Sequence, residues 1–168
     1  YRGQGITIPT LQEALKSAPG HLFLIEMKDG EDVVRATVEA IRAADAQHRC
    51  LLAAVPPTFI EEANHLAPEI ATCYDFISAS TMIYALRDGD WEGYEPTHEM
   101  LALSPTLKRR FDLTPEEIGR IREKGILVLL FTVNDPDEMR NLLDMGVDSI
   151  LSDAPDKLAE IIDAGLRQ

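Results

Sequence analysis

Cysteine is scarce in this sequence: only Cys50 and Cys73 occur among 168 residues. Two cysteines are too few for a disulfide framework, which excludes the disulfide-rich class of small secreted domains. Both lie near predicted strands, where a free cysteine is an ordinary small apolar residue. We therefore predict reduced, buried thiols at both positions.

Basic residues are outnumbered, with 16 Lys and Arg against 29 Asp and Glu and a net charge of −13. A surface of this charge repels DNA and RNA unless a local basic patch overrides it. The dense basic run at 108–110, Lys-Arg-Arg, is too short to do so. We predict no nucleic-acid partner, whereas a small anion can still bind where a metal ion or a few cations meet.

Several functional signals are also missing. No apolar run approaches the ~20 residues of a membrane-spanning helix, and no signal segment opens the chain. Neither a glycine-rich phosphate loop, nor a dinucleotide fingerprint, nor a serine-nucleophile signature is present. The histidines match no zinc spacing and follow no predicted strand, so we expect surface positions for all of them: His21, His48, His65 and His98.

The stretch 22–28 is apolar almost to its end, which is typical of a strand buried on both faces of a parallel sheet. Because side chains alternate along a strand, Glu26 and Lys28 share one face while Met27 points to the other. Ligands bind at the carboxyl ends of strands in α/β folds. Two interpretations stay open: a ligand site, or an ion pair that solvates the rim.

A carboxylate at Glu26 would be costly to bury unless it were paired or bound to a metal ion. One carboxylate is nevertheless too few for Ca²⁺ or Mg²⁺, which take several oxygen ligands. Polar residues near other predicted strand ends are Ser104, Thr132, Asn134, Ser152 and Asp153. The residues at 134–136 and 152–155 are adequately explained as N-caps of the helices that follow them.

Strand and helix patterns alternate along the chain at the spacing of βαβ units, without hairpin signals. The predicted strands are 22–28, 49–55, 70–74, 100–103, 126–133 and 147–151. The predicted helices are 11–18, 31–47, 58–66, 76–86, 115–124, 137–145 and 155–166, and 87–98 is a predicted long loop. An open doubly wound sheet and a (β/α)₈ barrel both fit this α/β pattern, although a barrel needs two more strands at its front end.

An ordered set of short motifs resembles the glycerophosphodiester phosphodiesterase family and covers nearly the whole chain. The motifs are Ile8-Pro9-Thr10-Leu11 with Glu13, Ile25-Glu26-Met27-Lys28, Phe131-Thr132-Val133-Asn134-Asp135, Gly146-Val147-Asp148-Ser149-Ile150 and Ser152-Asp153-Ala154-Pro155-Asp156. The family is a (β/α)₈ TIM-type barrel that uses a divalent cation, Ca²⁺ or Mg²⁺, to hydrolyse glycerophosphodiesters to glycerol 3-phosphate and an alcohol. The resemblance implies a single partial barrel domain over 1–168, with about six of the eight βα units.

By position, the resemblance implies that Glu26 is a metal ligand and that Lys28 faces the substrate phosphate. Phe131 stands where the family has a tryptophan, so an apolar substrate-facing wall is expected there without an indole donor. The catalytic histidines and the other metal carboxylates of the family have no counterpart in this chain, and the resemblance places them upstream of Tyr1. We therefore expect a small glycerophosphodiester as the ligand of the parent protein, and no activity from these 168 residues alone.

A barrel short of two strands exposes two edges, at 22–27 and 147–151. We expect the missing N-terminal strands, or a second copy of the chain, to cover them. The alternative function is a degenerate, non-catalytic barrel fragment that binds a ligand or partner, with Glu26 and Lys28 as a residual ion pair. The sequence does not determine the alcohol, the cation or the compartment, although the cytoplasm is slightly favoured.

Overall fold

A computed structural model describes residues 3–5 and 7–165. The chain divides into two compact units, Tyr1–Phe76 and Ile77–Gln168, which are described separately below. Within the described residues, each unit contains a three-stranded sheet in which all strands run parallel. The predicted α/β class is therefore confirmed.

Helices and strands alternate strictly in the first unit. Its elements are α1 (Leu11–Ser17), β1 (Phe23–Met27), α2 (Val33–Ala43), β2 (Cys50–Ala54), α3 (Pro57–Leu66) and β3 (Ala71–Thr72), with a 3₁₀ turn at Gln47–Arg49. The sheet order is β1-β2-β3, so β1 and β3 form its edges. Because neighbouring parallel strands are joined through helices, each βαβ connection places its helix over a face of the sheet.

The ends of the first two helices follow from local chemistry. A capping box between Thr10 and Glu13 begins α1, as the sequence predicts. Helix α2 is shorter than the predicted 31–47, because Asp32 and Asp45 adopt left-handed backbone conformations at φ 64° and 50°. Aspartate tolerates this conformation better than most residues, so it can interrupt a helix without glycine.

One face of the first sheet packs against the helices. Met27 and Leu52 on this face are buried together with Val34, Val38 and Ile41 of α2. Because β1 pairs with β2 in the register Glu26 to Ala53, these two residues lie side by side on the opposite face. The core therefore directs the side chain of Glu26 away from the helices.

The second unit follows the same alternation with one additional helix. Its elements are α4 (Phe76–Arg87, whose first residue belongs to the first unit), β4 (Met100–Leu103), α5 (Pro105–Phe111), α6 (Pro115–Glu123), β5 (Leu127–Leu130), α7 (Pro136–Asp144), β6 (Ser149–Ile150) and α8 (Pro155–Gly165). The sheet order is β4-β5-β6. The predicted last residue of α8, Leu166, lies outside the described residues.

Helix α5 was not predicted from the sequence. The Ser104 hydroxyl accepts a hydrogen bond from the Leu107 amide at 3.3 Å, and Pro105 occupies the first turn. Serine at the N-cap followed by proline is a common start signal, so the pattern was present but lay on a short segment.

Five of the six predicted strands are longer than the observed ones, and three of them by at least three residues. The apolar stretch 126–133 contains only the four paired residues of β5, although Ile126 and Val133 outside the ladder are buried. The predicted strands 70–74 and 147–151 shrink to two residues each. The apolar pattern overestimated burial, since Leu127 and Leu151 are exposed and β1 is not buried on both faces. The strand ends are set by pairing with a neighbour.

Both cysteines are free and buried, as predicted. Burial raises the pKa of the Cys50 thiol, and the neighbouring positive charge of Arg49 opposes this effect. None of the helices within residues 3–5 and 7–165 combines the length and the apolar character needed to cross a bilayer.

Candidate functional site

A carboxylate and an ammonium lie together at the carboxyl end of β1. Lys28 Nζ is 3.1 Å from Glu26 Oε2, and the two side chains are 75% and 45% exposed. The prediction that these residues share one face is confirmed, since Met27 between them is buried. An ion pair this exposed contributes at most about 1 kcal/mol to folding, so stability gives little reason for its position.

Glu26 is not buried, contrary to the expectation that burial would require a bound metal ion. Its carboxylate is paired and reaches solvent, so no burial penalty requires a metal ion there. Among the described residues, no group of three or more His, Cys, Asp or Glu side chains is placed to hold a metal. Because Ca²⁺ and Mg²⁺ need several oxygen ligands, the described residues alone do not fit a complete cation site.

In the second unit, polar side chains link the ends of β5 and β6. The Asn134 side-chain oxygen accepts hydrogen bonds from the Ser152 hydroxyl at 3.0 Å and the Asp153 amide at 2.9 Å. Its amide nitrogen donates to Asp153 Oδ2 at 3.0 Å. The Asn134 side chain thus forms hydrogen bonds with groups that follow β6. These bonds hold together the two loops that follow β5 and β6.

The capping interpretation is confirmed for the residue after Asn134. Asp135 accepts hydrogen bonds from the amides of Asp137 and Glu138 at 3.0 and 2.9 Å, and so begins α7. Ser152 accepts from the amide of Ala154 at 3.0 Å, which shapes the turn before α8. Asp135 and Ser152 therefore have structural roles, so their positions give no evidence for a ligand site.

A cavity of about 330 Å³ lies at the carboxyl ends of β4 and β5. Phe131 is half-buried in its wall, and Thr132 is exposed. The cavity is also lined by Lys108 and Arg109 of α5 and by Glu138 of α7. Lys108 Nζ is 2.5 Å from Glu138 Oε1, so an ion pair joins the two helices across the cavity.

Sequence reasoning missed these three charged residues. The signal in the sequence is the basic run at 108–110, which by itself indicates only a short positive patch. Its pairing with a glutamate 30 residues later depends on the packing of two helices and is not visible in sequence order.

The histidines lie away from the carboxyl ends of the strands, as predicted. His21, His48 and His65 are exposed, and His98 is half-buried. His21 and His98 precede β1 and β4, while His48 belongs to the 3₁₀ turn and His65 to α3. Within the described residues, no histidine is therefore positioned at a carboxyl strand end as an acid or base.

Comparison with known proteins gives one consistent family. Residues 1–157 match the model of the glycerophosphoryl diester phosphodiesterase family. A "probable glycerophosphodiester phosphodiesterase 2" of Mycobacterium tuberculosis is 27% identical over 95% of this chain and 62% of its own length. The chain thus spans less than two thirds of this curated relative.

Solved structures show the same fold. A glycerophosphodiester phosphodiesterase from Parabacteroides distasonis has a TM-score of 0.73 and 20% identity, over 94% of this chain and 65% of that one. An Oleispira antarctica phosphodiesterase, solved in complex with the product sn-glycerol-3-phosphate, has a TM-score of 0.64 and 25% identity, over 92% of this chain and 61% of that one.

Proposed function

Because the chain belongs to the glycerophosphoryl diester phosphodiesterase family, we propose that it contributes part of a site that hydrolyses glycerophosphodiesters to glycerol 3-phosphate and an alcohol. The observation that carries the proposal is the pair formed by Glu26 and Lys28 at the carboxyl end of β1, on the face away from the helices. The product complex of the Oleispira relative supports a small phosphate compound as the ligand class.

The proposed fold is a (β/α)₈ TIM-type barrel formed as one domain, to which residues 1–168 contribute about six βα units. Support comes from the parallel βα alternation in each unit and from the likeness to solved family structures. Within the described residues, β1 and β6, like β3 and β4, each pair with one neighbour only. We propose that further strands or a second copy of the chain cover these edges. Sedimentation of the 168-residue chain should then show self-association, whereas a monodisperse monomer would contradict open edges.

Lys28 has the proposed role of neutralising a phosphate oxygen, since its three-donor ammonium lies at the end of its strand and is largely exposed. In hydrolysis, water adds to phosphorus and the bond to the alcohol oxygen breaks. A base takes a proton from the water, and an acid gives one to the departing alcohol. The described residues place no histidine for either step, so we propose that these 168 residues alone do not turn over substrate.

Glu26 has the proposed role of one oxygen ligand of a Ca²⁺ or Mg²⁺ ion. The described residues do not complete such a site. The remaining ligands, like the acid and base, would have to come from additional polypeptide. We therefore expect weak, millimolar binding of Ca²⁺ to this chain by calorimetry, and weaker binding still to Glu26→Gln.

A chimera tests the proposed function directly. The amino-terminal portion of the Mycobacterium tuberculosis relative, joined to this chain, should hydrolyse glycerophosphocholine in the presence of Ca²⁺ or Mg²⁺. Glu26→Gln in the chimera should abolish turnover, and Lys28→Gln should lower kcat/KM about 100-fold, the scale of a lost charged contact to the transition state. Glu39→Gln, the same change at an exposed position of α2, is the matched control and should have no effect.

A chimera that folds but keeps its activity without Glu26 would remove this residue from the site. Activity of the unmodified 168-residue chain would contradict its proposed dependence on additional residues. The second candidate function is a non-catalytic ligand-binding or interaction module, with Glu26 and Lys28 as a residual ion pair. The pairing and exposure of Glu26 favour it, and a folded chimera without any turnover would support it.

A further inference from the structure

Helix α8 is poorly covered by the rest of its unit. None of its eleven described residues is fully buried. Ile162 is 42% exposed and Ile161 is half-buried. A helix in a folded domain normally buries one apolar face, so part of this face of α8 is left uncovered within the described part of the chain.

A groove of about 800 Å³ lies between α7 and α8, which pack against each other. One stripe of each helix lines it, including residues 136, 140, 143 and 144 of α7 and residues 157, 160, 161 and 164 of α8. Both helices follow parallel strands and begin at the carboxyl ends of these strands, so they run in the same direction. The groove is therefore bordered by two parallel rows of side chains.

The groove contains charges of both signs in a regular order. Arg140 precedes Asp144 on α7, and Lys157 precedes Glu160 on α8. Each helix therefore has its basic residue nearer the amino-terminal end and its acidic residue nearer the carboxyl-terminal end. These four charges balance, whereas the whole chain has a net charge of −13. A second copy of the chain thus meets less electrostatic repulsion at this groove than over an average part of the surface.

Most of these charged groups are available to a partner. Within residues 3–5 and 7–165, the side chains of Asp144, Lys157 and Glu160 form no ion pair or hydrogen bond. Arg140 pairs with Asp137 of its own helix at 2.7 Å, and both side chains are more than half exposed. Because an ion pair this exposed is weak, Arg140 can also interact with a second carboxylate.

We propose that a second copy of this chain docks on the groove about a twofold axis perpendicular to the two helices. This axis places α8 of one copy antiparallel to α7 of the other, so the amino-terminal end of each helix meets the carboxyl-terminal end of its neighbour. Lys157 then lies opposite Asp144 of the second copy, and Glu160 lies opposite Arg140 of the second copy. The symmetry repeats both contacts, as an isologous interface requires, and the two copies together cover Ile162.

Two charge-reversed variants of the 168-residue chain test this pairing by sedimentation equilibrium. Lys157→Glu and Asp144→Lys each place like charges opposite each other twice in a dimer. Each variant alone should therefore dimerise at least roughly tenfold more weakly than the wild type. An equimolar mixture of the two should recover the wild-type affinity, because each reversed residue then meets an opposite charge on the other variant. A variant that had lost its fold could not give this recovery.

Asp163→Lys is the matched control. It makes the same change of charge as Asp144→Lys, at an exposed position of α8 outside the residues that line the groove, and should leave the dimer unchanged. A monomeric wild type, equal effects of Asp163→Lys and Asp144→Lys, or no recovery in the mixture would overturn the proposal. Association through the strand edges at β1 and β6 would not respond to these reversals, so it is distinguishable from docking at the groove.

The other candidate occupant of the groove is the additional polypeptide proposed above to complete the site. A monomeric chimera, beside a wild-type chain that dimerises, would show that this polypeptide covers the groove and would overturn the proposal. A chimera that dimerises, and whose Lys157→Glu and Asp144→Lys variants dimerise only when mixed, would support it. Neither result depends on whether the chimera hydrolyses substrate.

Discussion

Arg49 donates a hydrogen bond from Nη2 to the carbonyl oxygen of Leu15 at 2.6 Å, so a buried guanidinium closes the carboxyl end of α1. Its Nη1 donates to the carbonyl oxygens of Ala18 and His21, both at 3.1 Å. The guanidinium also lies 5.3 Å from the ring centre of Phe23. One side chain therefore ties the end of the first helix and the following turn to the sheet.

Replacing Arg49 with methionine should destabilise the protein by about 2–4 kcal/mol, because three backbone carbonyls lose their donor in a largely buried place. Urea unfolding followed by circular dichroism measures the change. Arg35→Met, at an exposed position of α2, is the control and should change the free energy of unfolding by less than about 0.5 kcal/mol. Equal effects of the two variants would show that the hydrogen bonds of Arg49 contribute nothing.

Glu117 gives a pH-dependent prediction. It pairs with Arg87 at 2.6 Å and caps α6 by accepting from the Thr114 amide at 2.9 Å. The hydrogen bond from Arg87 is the main cause that holds the pKa of Glu117 below its ordinary value. Because the folded pKa is depressed, this stabilisation is present above the unfolded pKa and is lost as the pH falls through the folded pKa.

Glu117→Gln should therefore cost about 1 kcal/mol at pH 7, and the difference from wild type should shrink as the pH falls below about 4.5. Unfolding free energies measured from roughly pH 3 to pH 7 test the prediction. Glu116→Gln in the same helical turn controls for the helix dipole and should show a smaller cost. A pH-independent difference would contradict an electrostatic origin.

Asp148 is predicted to protect one backbone amide. Its Oδ2 accepts from the Val128 amide at 2.9 Å, and its Oδ1 accepts from Arg122 Nε at 2.9 Å. Asp148→Ala should destabilise the protein by about 1–3 kcal/mol and speed hydrogen exchange at the Val128 amide, since that donor loses its acceptor. Asp163→Ala in exposed α8 is the control. An unchanged rate of hydrogen exchange at the Val128 amide would show that its hydrogen bond to Asp148 is absent in solution.

Asn134→Asp tests the link between the ends of β5 and β6. The change keeps the oxygen that accepts from Ser152 and Asp153 but replaces the donating nitrogen with a second oxygen. That oxygen would face Asp153 Oδ2, now 3.0 Å from the nitrogen, so like charges would repel. We expect a loss of about 1–2 kcal/mol by thermal unfolding. Asn141→Asp, exposed on α7, should be nearly neutral.

The sequence by itself determined the order of elements and their most regular features. Apolar runs at the spacing of βα units predicted the parallel sheets, and Thr10 and Thr114 predicted the capping boxes of α1 and α6. The shared face of Glu26 and Lys28 was also predictable. These features depend on neighbours within a few residues, where the geometry of a strand or a helical turn leaves few alternatives.

Only the tertiary structure decided which distant groups meet. The ion pair of Lys108 with Glu138 joins residues 30 positions apart, and the bond from Val128 to Asp148 spans 20 positions. The ends of β3 and β6 likewise depend on how far a neighbouring strand pairs with them. Sequence pattern records burial and local conformation, whereas such contacts depend on the packing of whole helices and strands, which has no signature in the spacing of residues.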